Sequence, residues 1–492
     1  MRQLTALDVQ FLNAESTTTT GHVGGLSILD PSTAPGGKLT VDDLRELIGS
    51  RLHLAKPLRW RLLPVPLGLD HPYWIDDPEF DLEYHVREIA LPAPGDERQL
   101  AEQISRLTAR PLDRRRPLWE AYLIHGLQDG NVAVYTKIHH SAIDGVSGAE
   151  LIGVLMDVEP RPRTVEPPKE LARPDLPSPL ELAFNGVRRL ALHPIKAAMQ
   201  VPKLLQHIDE VPGVGRYPGV GLLAKAGSVL NRVTRQGSGR HEVARPRLIA
   251  PDTPFNGPIS PHRRFAYGSL PLDEVKRVKN AFGVTVNDVV MALCATVMRR
   301  WLVDHDALPE QPLVTLVPLS VRTPEQAKDA GNQVSVMLAP LPTNIADPAA
   351  RLAEVTSAMI AAKQRYQPLP ASWLVDFSGM LPAALGGLAA RATMLFLGAT
   401  APVVNLVVSN VPGAQVPLYL GGARMLANYP VSAITDASGG LNITVMSYKG
   451  QLDFGFVACR ELIPDVWDLI DHLHDALAEL TKLAAEHTRE TS

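Results

Sequence analysis

The stretch VAVYTKIHHSAIDGVSGAEL, residues 132–151, decides how this chain is read. Val132, Val134 and Thr136 alternate with Ala133, Tyr135 and Lys137, then comes Ile138, and this β-branched and aromatic enrichment predicts a β-strand. Successive side chains of a strand point to opposite faces. His139 and His140 therefore cannot both face one cavity while the strand stays regular. One is placed for chemistry and the other for packing. Asp144-Gly145 is turn chemistry, and Gly145 permits a backbone turn that a Cβ would obstruct. From about Ser147 to Val158, apolar residues recur at helical spacing: Ala149, Leu151, Ile152, Leu155 and Met156. The motif reads as strand, tight turn, helix.

Three uses of this motif compete. In the first, His140 is a general base, since a neutral imidazole near pH 7 takes a proton from an attacking hydroxyl or thiol. Asp144 then holds the loop or the orientation of the imidazole. In the second, His140 and Asp144 bind a metal. Their i, i+4 spacing suits a helix, but this histidine sits at a strand end with no third ligand nearby. In the third, both histidines pack at a sheet edge. For an isolated His-x-x-x-Asp, packing is the first expectation.

The rest of the chain narrows the classes. Its 492 residues suffice for two or three domains, and a hydrophobic fraction of 45% can build a large core. A formal net charge of -4 gives no basic character and no nucleic-acid signature. Cys294 and Cys459 are the only cysteines and lie far apart, which argues against a disulfide framework or a cysteine zinc site. A reducing cytoplasm is the expected compartment. The start, MRQLTALDVQFL, lacks an apolar core of signal-peptide length. ATMLFLGATAPVVNLVVSNVPG, from Ala392, is nearly free of charge but contains Gly398, Pro402 and Asn405. It predicts a helix end, a turn and a buried strand rather than a membrane-spanning helix.

Residues 1–158 alternate strand-like and helical segments and form the expected N-terminal domain. Residues 159–255 form a connecting region. It opens with a proline-rich linker at 159–179 and closes with a Gly- and Pro-rich crossover. Between them, 180–208 is amphipathic and basic, with Arg188, Arg189, Lys196 and Lys203, and Pro194 and Pro202 are expected to break it. Such a segment can lie on a lipid surface. The competing reading is a pair of helices packed on their own protein. Residues 256–492 form a second α/β region. HRRFAYGSLPL reads as a strand, LDEVKRVKNAFG as a helix with a glycine stop, TVNDVVMALCATVMRRWLVDH as a helix and PLVTLVPLSVR as a strand. In PDVWDLIDHLHDALAELTKLA, Val466, Leu469, Ile470, Leu473, Leu477 and Leu480 share a face, with Asp465 and Asp468 suited to the first turn. No fixed-period repeat is present, which excludes solenoids and propellers.

Seven ordered blocks change the weight of the histidine motif. They are PLWEAYLIHGL (117–127), HHSAIDG (139–145), TPFNGPISPHRRFA (253–266), VNDVVMALC (286–294), VPLSVR (317–322), GNQVSVMLAPLPT (331–343) and SNVPG (409–413). Together they resemble the bacterial wax ester synthase/acyl-CoA:diacylglycerol acyltransferase family. The resemblance runs from LTALDVQFL to LDFGFVACRELIPDVWDL, nearly the whole chain. The abundance of Pro, Arg and Ala resembles the mycobacterial triacylglycerol synthases of that family. One departure is ESTTTTGHVGG, where the family commonly has a small apolar residue before His-Val-Gly.

The resemblance implies an α/β fold of two chloramphenicol-acetyltransferase-like (CoA-dependent acyltransferase) domains around a shared channel. It implies transfer of a long-chain fatty acyl group from acyl-CoA to diacylglycerol, giving triacylglycerol and CoA. Wax ester synthesis on long-chain alcohols is the alternative within the family. The same fold serving a polyketide or peptide acceptor is a further alternative. A non-catalytic lipid-surface protein is a third, against which the intact HHSAIDG argues. By the family motif, His140 is the base, His139 its neighbour, and Asp144 mainly supports the turn with Gly145. No cofactor or metal is required, acyl-CoA being a substrate. The expected partners are long-chain acyl-CoA, diacylglycerol or a fatty alcohol, and the inner membrane face or a lipid droplet met peripherally from the cytoplasm.

The other blocks have simpler uses. Thr285 can cap a helix with Asp288 at N3, which accounts for Asn287-Asp288 as well as a direct role does. Ser409-Asn410 ends NLVVSN before Pro412-Gly413, a turn signal. The family places this block by the channel, which implies a supporting polar role. Pro117-Leu118-Trp119 is expected to pack the core, and Arg263-Arg264 to meet CoA phosphates or be solvated.

Overall fold

The computed structural model describes residues 1–142, 148–166, 176–205, 250–320, 334–366 and 404–491. Its first part runs β1 (Arg2–Gln3), α1 (Ala6–Ala14), β2 (His22–Asp30), α2 (Val41–Arg51), β3 (Trp60–Leu63), β4 (Tyr73–Asp76), α3 (Leu82–His85), β5 (Val86–Ala90), α4 (Glu97–Thr108), β6 (Trp119–His125), β7 (Val132–His139), α5 (Gly148–Leu155) and α6 (Pro179–Leu205). The second runs β8 (Arg263–Pro271), α7 (Leu272–Phe282), α8 (Val286–Asp304), β9 (Leu313–Ser320), β10 (Val334–Leu341), α9 (Pro348–Tyr366) and β11 (Leu406–Val411). It closes with β12 (Tyr419–Leu420), β13 (Ala423–Val431), β14 (Leu441–Tyr448), β15 (Gln451–Cys459) and α10 (Asp468–Thr491).

Two six-stranded sheets carry the fold, in the orders β12-β13-β2-β7-β6-β5 and β10-β9-β11-β14-β15-β8. A small sheet, β1-β4-β3, stands beside them. Strands β12 and β13, from the C-terminal part of the chain, complete the N-terminal sheet. There Asn428 lies opposite Ser27 and Val431 opposite Gly24. β2 is thus held between β13 and β7.

Helix α4 shows how the two sheets share a core. Asp96 caps it, with Gln99 returning the capping box. Its buried face, Leu100, Ala101, Ile104 and Leu107, packs with Tyr122, Ile124 and Tyr135 of one sheet. The same cluster includes Phe265, Tyr267, Val457 and Cys459 of the other. A separate core joins α7, α8, α9 and α10 to the C-terminal sheet. Helix α8 is buried without a break from Asp288 to Met298, so apolar residues on every side suit it. Among the described residues, no single helix is long and apolar enough to cross a membrane. The pair α7 and α8 passes that test together but bends by 102° between its halves.

Several sequence expectations hold. Gly283 stops α7 at φ 67, Leu118 and Trp119 are core residues, and both cysteines are free and buried. Three need correction. Pro194 and Pro202 do not break the basic segment, because α6 is one helix of 27 residues. Proline fixes φ near the helical value, so the chain continues at the loss of one backbone hydrogen bond at each site. Asp465 does not open the last helix. It precedes α10 and accepts from the Trp301 indole N–H at 3.2 Å. Arg263 is neither solvated nor free for a phosphate. Its guanidinium is 5% exposed and donates to the carbonyls of Ser260, His262 and Thr18. A buried charge needs such partners. Most of the crossover, and the Ala392 stretch as far as Val403, lie outside the described residues.

Candidate active site

Strands β2 and β7 run antiparallel and end together, with His22 opposite His139. β7 stops there, and His140–Ala142 form a 3-10 turn. This change of backbone separates the adjacent histidines. His139 is buried and His140 is half-buried.

Nδ1 of His139 accepts from the Ser141 backbone N–H at 3.1 Å and lies 2.6 Å from Ser141 Oγ. An accepting Nδ1 places the ring proton on Nε2. That nitrogen faces Glu15 Oε1 at 3.3 Å. Glu15 Oε1 also accepts from the Gly21 N–H at 2.9 Å. Oε2 takes two bonds from the Arg114 guanidinium, at 2.6 and 3.1 Å. Burial alone would raise the Glu15 carboxyl, but its contacts with His139, Gly21 and Arg114 outweigh that and hold it at about 2. The carboxylate is ionised throughout the neutral range.

His140 is fixed differently. Its backbone N–H donates to the Gly21 carbonyl at 2.9 Å. Its ring stacks on Phe11, with centroids 4.9 Å apart and planes 13° from parallel. Phe11 is positioned by α1, which starts on a Thr5–Asp8 capping box. Burial, and then the neighbouring His139, lower the His140 imidazole to about 4. It is neutral near pH 7. Among the described residues, its ring nitrogens carry no hydrogen bond.

A buried polar layer supports these strand ends. His22 Nε2 lies 2.8 Å from the Thr108 carbonyl, and burial followed by the Lys137 cation lowers that imidazole to about 3. Lys137 donates to the carbonyls of Leu107 and Arg110 near the end of α4 and pairs with Glu120 at 3.1 Å. Tyr122 donates to the same carboxylate at 2.7 Å. A cation at a helix C-terminus is favourable, and here every donor and acceptor named has a partner.

The remaining sequence candidates form a second group. Asp288 caps α8, accepting from the Thr285 N–H at 2.9 Å and hydroxyl at 2.7 Å. Asn410 donates to the side chain of Asn287 at 3.3 Å, tying β11 to the start of α8. Ser409 pairs with Thr444 of β14. Among the described residues, no hydrogen bond joins this group to the histidines. Asp144 and Gly145 lie outside the described residues. The sequence reading missed Glu15, Gly21, Phe11 and Arg114. Their signal is weak: a glutamate at a helix end and a glycine after four threonines.

Residues 4–290 match the wax ester synthase/diacylglycerol acyltransferase catalytic domain, and residues 330–481 match the WS/DGAT C-terminal domain. The chain belongs to the wax ester synthase/diacylglycerol acyltransferase family. It is 36% identical over 480 residues to the Mycobacterium tuberculosis protein named "Probable diacyglycerol O-acyltransferase tgs2", covering 96% of this chain and 97% of that one. The solved wax ester synthase/diacylglycerol acyltransferase from Marinobacter aquaeolei VT8 is 30% identical, with a TM-score of 0.66. That match covers 99% of this chain and 100% of the other. The first condensation domain of the CDA synthetase, 17% identical, superposes with a TM-score of 0.51 over 98% of this chain and 96% of that domain. This last likeness concerns the fold alone. The two-domain α/β acyltransferase fold is therefore the fold of this chain.

Acyl transfer from a thioester makes modest demands on a family member. The thioester is already activated, so no covalent enzyme intermediate is needed. An alcohol must lose its proton as it attacks, and the developing oxyanion needs a donor. Positioned base catalysis contributes roughly 10²–10⁴-fold, and an oxyanion donor roughly 10²–10³-fold. Among the described residues, His140 offers a neutral, half-buried imidazole whose ring nitrogens carry no hydrogen bond. No group of three His, Cys, Asp or Glu side chains suited to a metal occurs among the described residues.

Proposed function

We propose that this chain transfers a long-chain fatty acyl group from acyl-CoA to diacylglycerol, with His140 as general base and without cofactor or metal. The observation that carries this is the half-buried, neutral His140 ring, fixed by Phe11 and by the Gly21 carbonyl. The acceptor hydroxyl gives its proton to His140 while its oxygen forms a bond to the thioester carbonyl. The tetrahedral intermediate collapses, the C–S bond breaks, and the departing CoA sulfur takes the proton from the imidazolium. Triacylglycerol and CoA are the products. The test is CoA release from palmitoyl-CoA with dioleoylglycerol, hexadecanol or no acceptor. Release that depends on dioleoylglycerol supports the reading. A preference for hexadecanol makes the chain a wax ester synthase, and release indifferent to either acceptor overturns both.

The site of work in this reading is a lipid surface, met peripherally from the cytoplasm at the inner membrane face or a lipid droplet. Diacylglycerol is almost insoluble in water, so the enzyme must meet it at an interface. Helix α6 offers a suitable face. It buries Leu182 against Val65 and Tyr73, while Leu180, Phe184 and Val187 are 83%, 71% and 54% exposed at i, i+4, i+7 spacing. Exposed Arg188 adjoins this stripe. Arg189 is instead tied to Asp70 at 3.2 Å. Each basic residue near an anionic surface contributes about 1 kcal/mol, and buried apolar area about 25 cal/mol per Å². Flotation with anionic vesicles checks this: Leu180→Ser with Phe184→Ser should abolish binding, and salt should weaken it in the unaltered protein. Undiminished flotation of the double variant sinks the docking face.

A further inference from the structure

We propose that Glu15 is a positioning residue for acyl transfer, acting on His140 through the Gly21 peptide and through the ring of His139. The proposal rests on the reading of His140 as the base. One carboxylate oxygen, Glu15 Oε1, faces two groups: it accepts the Gly21 N–H at 2.9 Å and stands 3.3 Å from His139 Nε2, an electrostatic contact outside hydrogen-bond geometry. Each leads to His140 by a short route. The other side of Gly21 is its carbonyl, which accepts the His140 N–H at 2.9 Å. The other side of the His139 ring is Nδ1, which accepts the Ser141 N–H at 3.1 Å. The residues before and after His140 are thus fastened to one imidazole, and His140 itself is fastened to the glycine that the same carboxylate holds.

The tautomer of His139 is the hinge of this arrangement. Only a ring with its proton on Nε2 keeps a lone pair on Nδ1 for the Ser141 N–H. An anionic partner at Nε2 selects that form, as second partners commonly do for functional histidines. Arg114 keeps the partner anionic with two bonds to the opposite oxygen. In this assignment Glu15 touches neither substrate nor the transferred proton. A glutamine in its place keeps the size but has one acceptor oxygen. It turns an N–H either toward Arg114 or toward Gly21 and His139, all of which are donors.

The experiment uses the full-length protein with selectively ¹⁵N-labelled histidine. Glu15→Gln is compared with wild type for melting temperature, for the pH profile of kcat/KM, and for the His139 ring nitrogen shifts. We expect a loss of about 10–100-fold in kcat/KM, the scale known for removing an outer partner of a metal-ligating histidine. We also expect the His139 shifts to move from a dominant Nε2–H form toward a mixture. Unchanged ring shifts overturn the proposal, as does unchanged kcat/KM in the folded variant. A loss that only follows the melting temperature, with the ring unchanged, has the same meaning. Glu15→Asp keeps the charge and draws it back from Gly21, and it is read in the same assays if the glutamine variant does not fold. Near wild-type turnover by folded His140→Ala would instead sink the base assignment, while leaving the effect of Glu15 on the His139 ring intact.

Discussion

A Cβ on Gly21 would stand 2.4 Å from Nε2 of His139. No ordinary Cβ contact is that short, and the imidazole has nowhere to retreat, because Ser141 holds its far side. The missing side chain at Gly21 is therefore what lets the buried histidine lie across the end of β2. Gly21→Ala should push the ring away from Ser141 and shift the carbonyl that holds His140. Overpacking of this kind costs about 1–3 kcal/mol. We expect a matching fall in stability by urea unfolding and at least a tenfold loss of CoA release. Wild-type values in both would mean that the two strand ends are loosely coupled.

The adjacent histidines should separate in their responses. His140→Ala removes a half-buried ring that makes no hydrogen bond among the described residues, so folding should survive. Turnover should fall by about 10²–10⁴-fold. His139→Ala leaves the Ser141 N–H without its acceptor, an unpaired buried donor costing about 1–3 kcal/mol, and empties the space beside the Glu15 carboxylate, which keeps its bonds from Gly21 and Arg114. Its melting temperature should drop well below that of His140→Ala. Equal melting temperatures, with activity kept in the His140 variant, would reverse the two roles.

That the two rings would meet different surroundings was legible because a strand's side chains alternate, and the structure adds a reason that alternation does not supply. β7 ends at His139, and the 3-10 turn carries His140 out of the sheet. The caps were also legible: Thr285 with Asp288, and the stop at Gly283, are local in sequence. What the sequence hid is long-range. Glu15 meets Arg114 across 99 positions, and β13 enters the N-terminal sheet about 400 residues after β2, where Ser27 bonds Asn428. Periodicity reports the face a residue turns to the core, not the strand it will pair with. The prolines of α6 misled for the opposite reason, since a strong local signal was overridden by the continuity of the helix.

Asp453 predicts a pH dependence of unusual sign for a carboxylate. It is fully buried on β15, accepting from the Asn428 N–H at 2.8 Å and the Ser269 hydroxyl at 2.7 Å. Burial outweighs these bonds and raises it from 3.8 to about 6. Between those values the folded state holds a proton that the unfolded state has lost. Its contribution is therefore full below the unfolded value and is lost as pH rises through about 6. Above that, the ionised carboxylate is a standing cost. An asparagine keeps one acceptor for the Asn428 N–H and offers an N–H to Ser269, whose hydroxyl turns to Tyr429 at 3.1 Å. Asp453→Asn should raise the melting temperature at pH 8 and not at pH 5. A gain that is the same at both values refutes the assignment.

The helix that follows the histidine turn is anchored by a buried ion pair. Arg51 and Asp157 are 1% and 4% exposed and 2.7 Å apart. Arg51 also donates to the carbonyls of Val154 and Leu155, placing its cation at the C-terminal end of α5. The backbone of Asp157 exchanges two hydrogen bonds of 2.8 Å with Tyr419, so the same residue ties α5 to β12. Removing Asp157 leaves a buried cation without its carboxylate, and removing Arg51 leaves Asp157 with only the half-exposed Arg163 guanidinium at 3.4 Å; breaking a buried pair in this way costs about 3–5 kcal/mol. Replacing both with apolar side chains removes the charges together and costs much less than the sum. We therefore expect Arg51→Met and Asp157→Leu each to be severely destabilised in urea unfolding, and the double variant to recover part of that loss. Recovery of stability without recovery of CoA release would show that the pair also sets the place of α5 beside the turn. Strictly additive losses would mean that the two charges do not act as a pair.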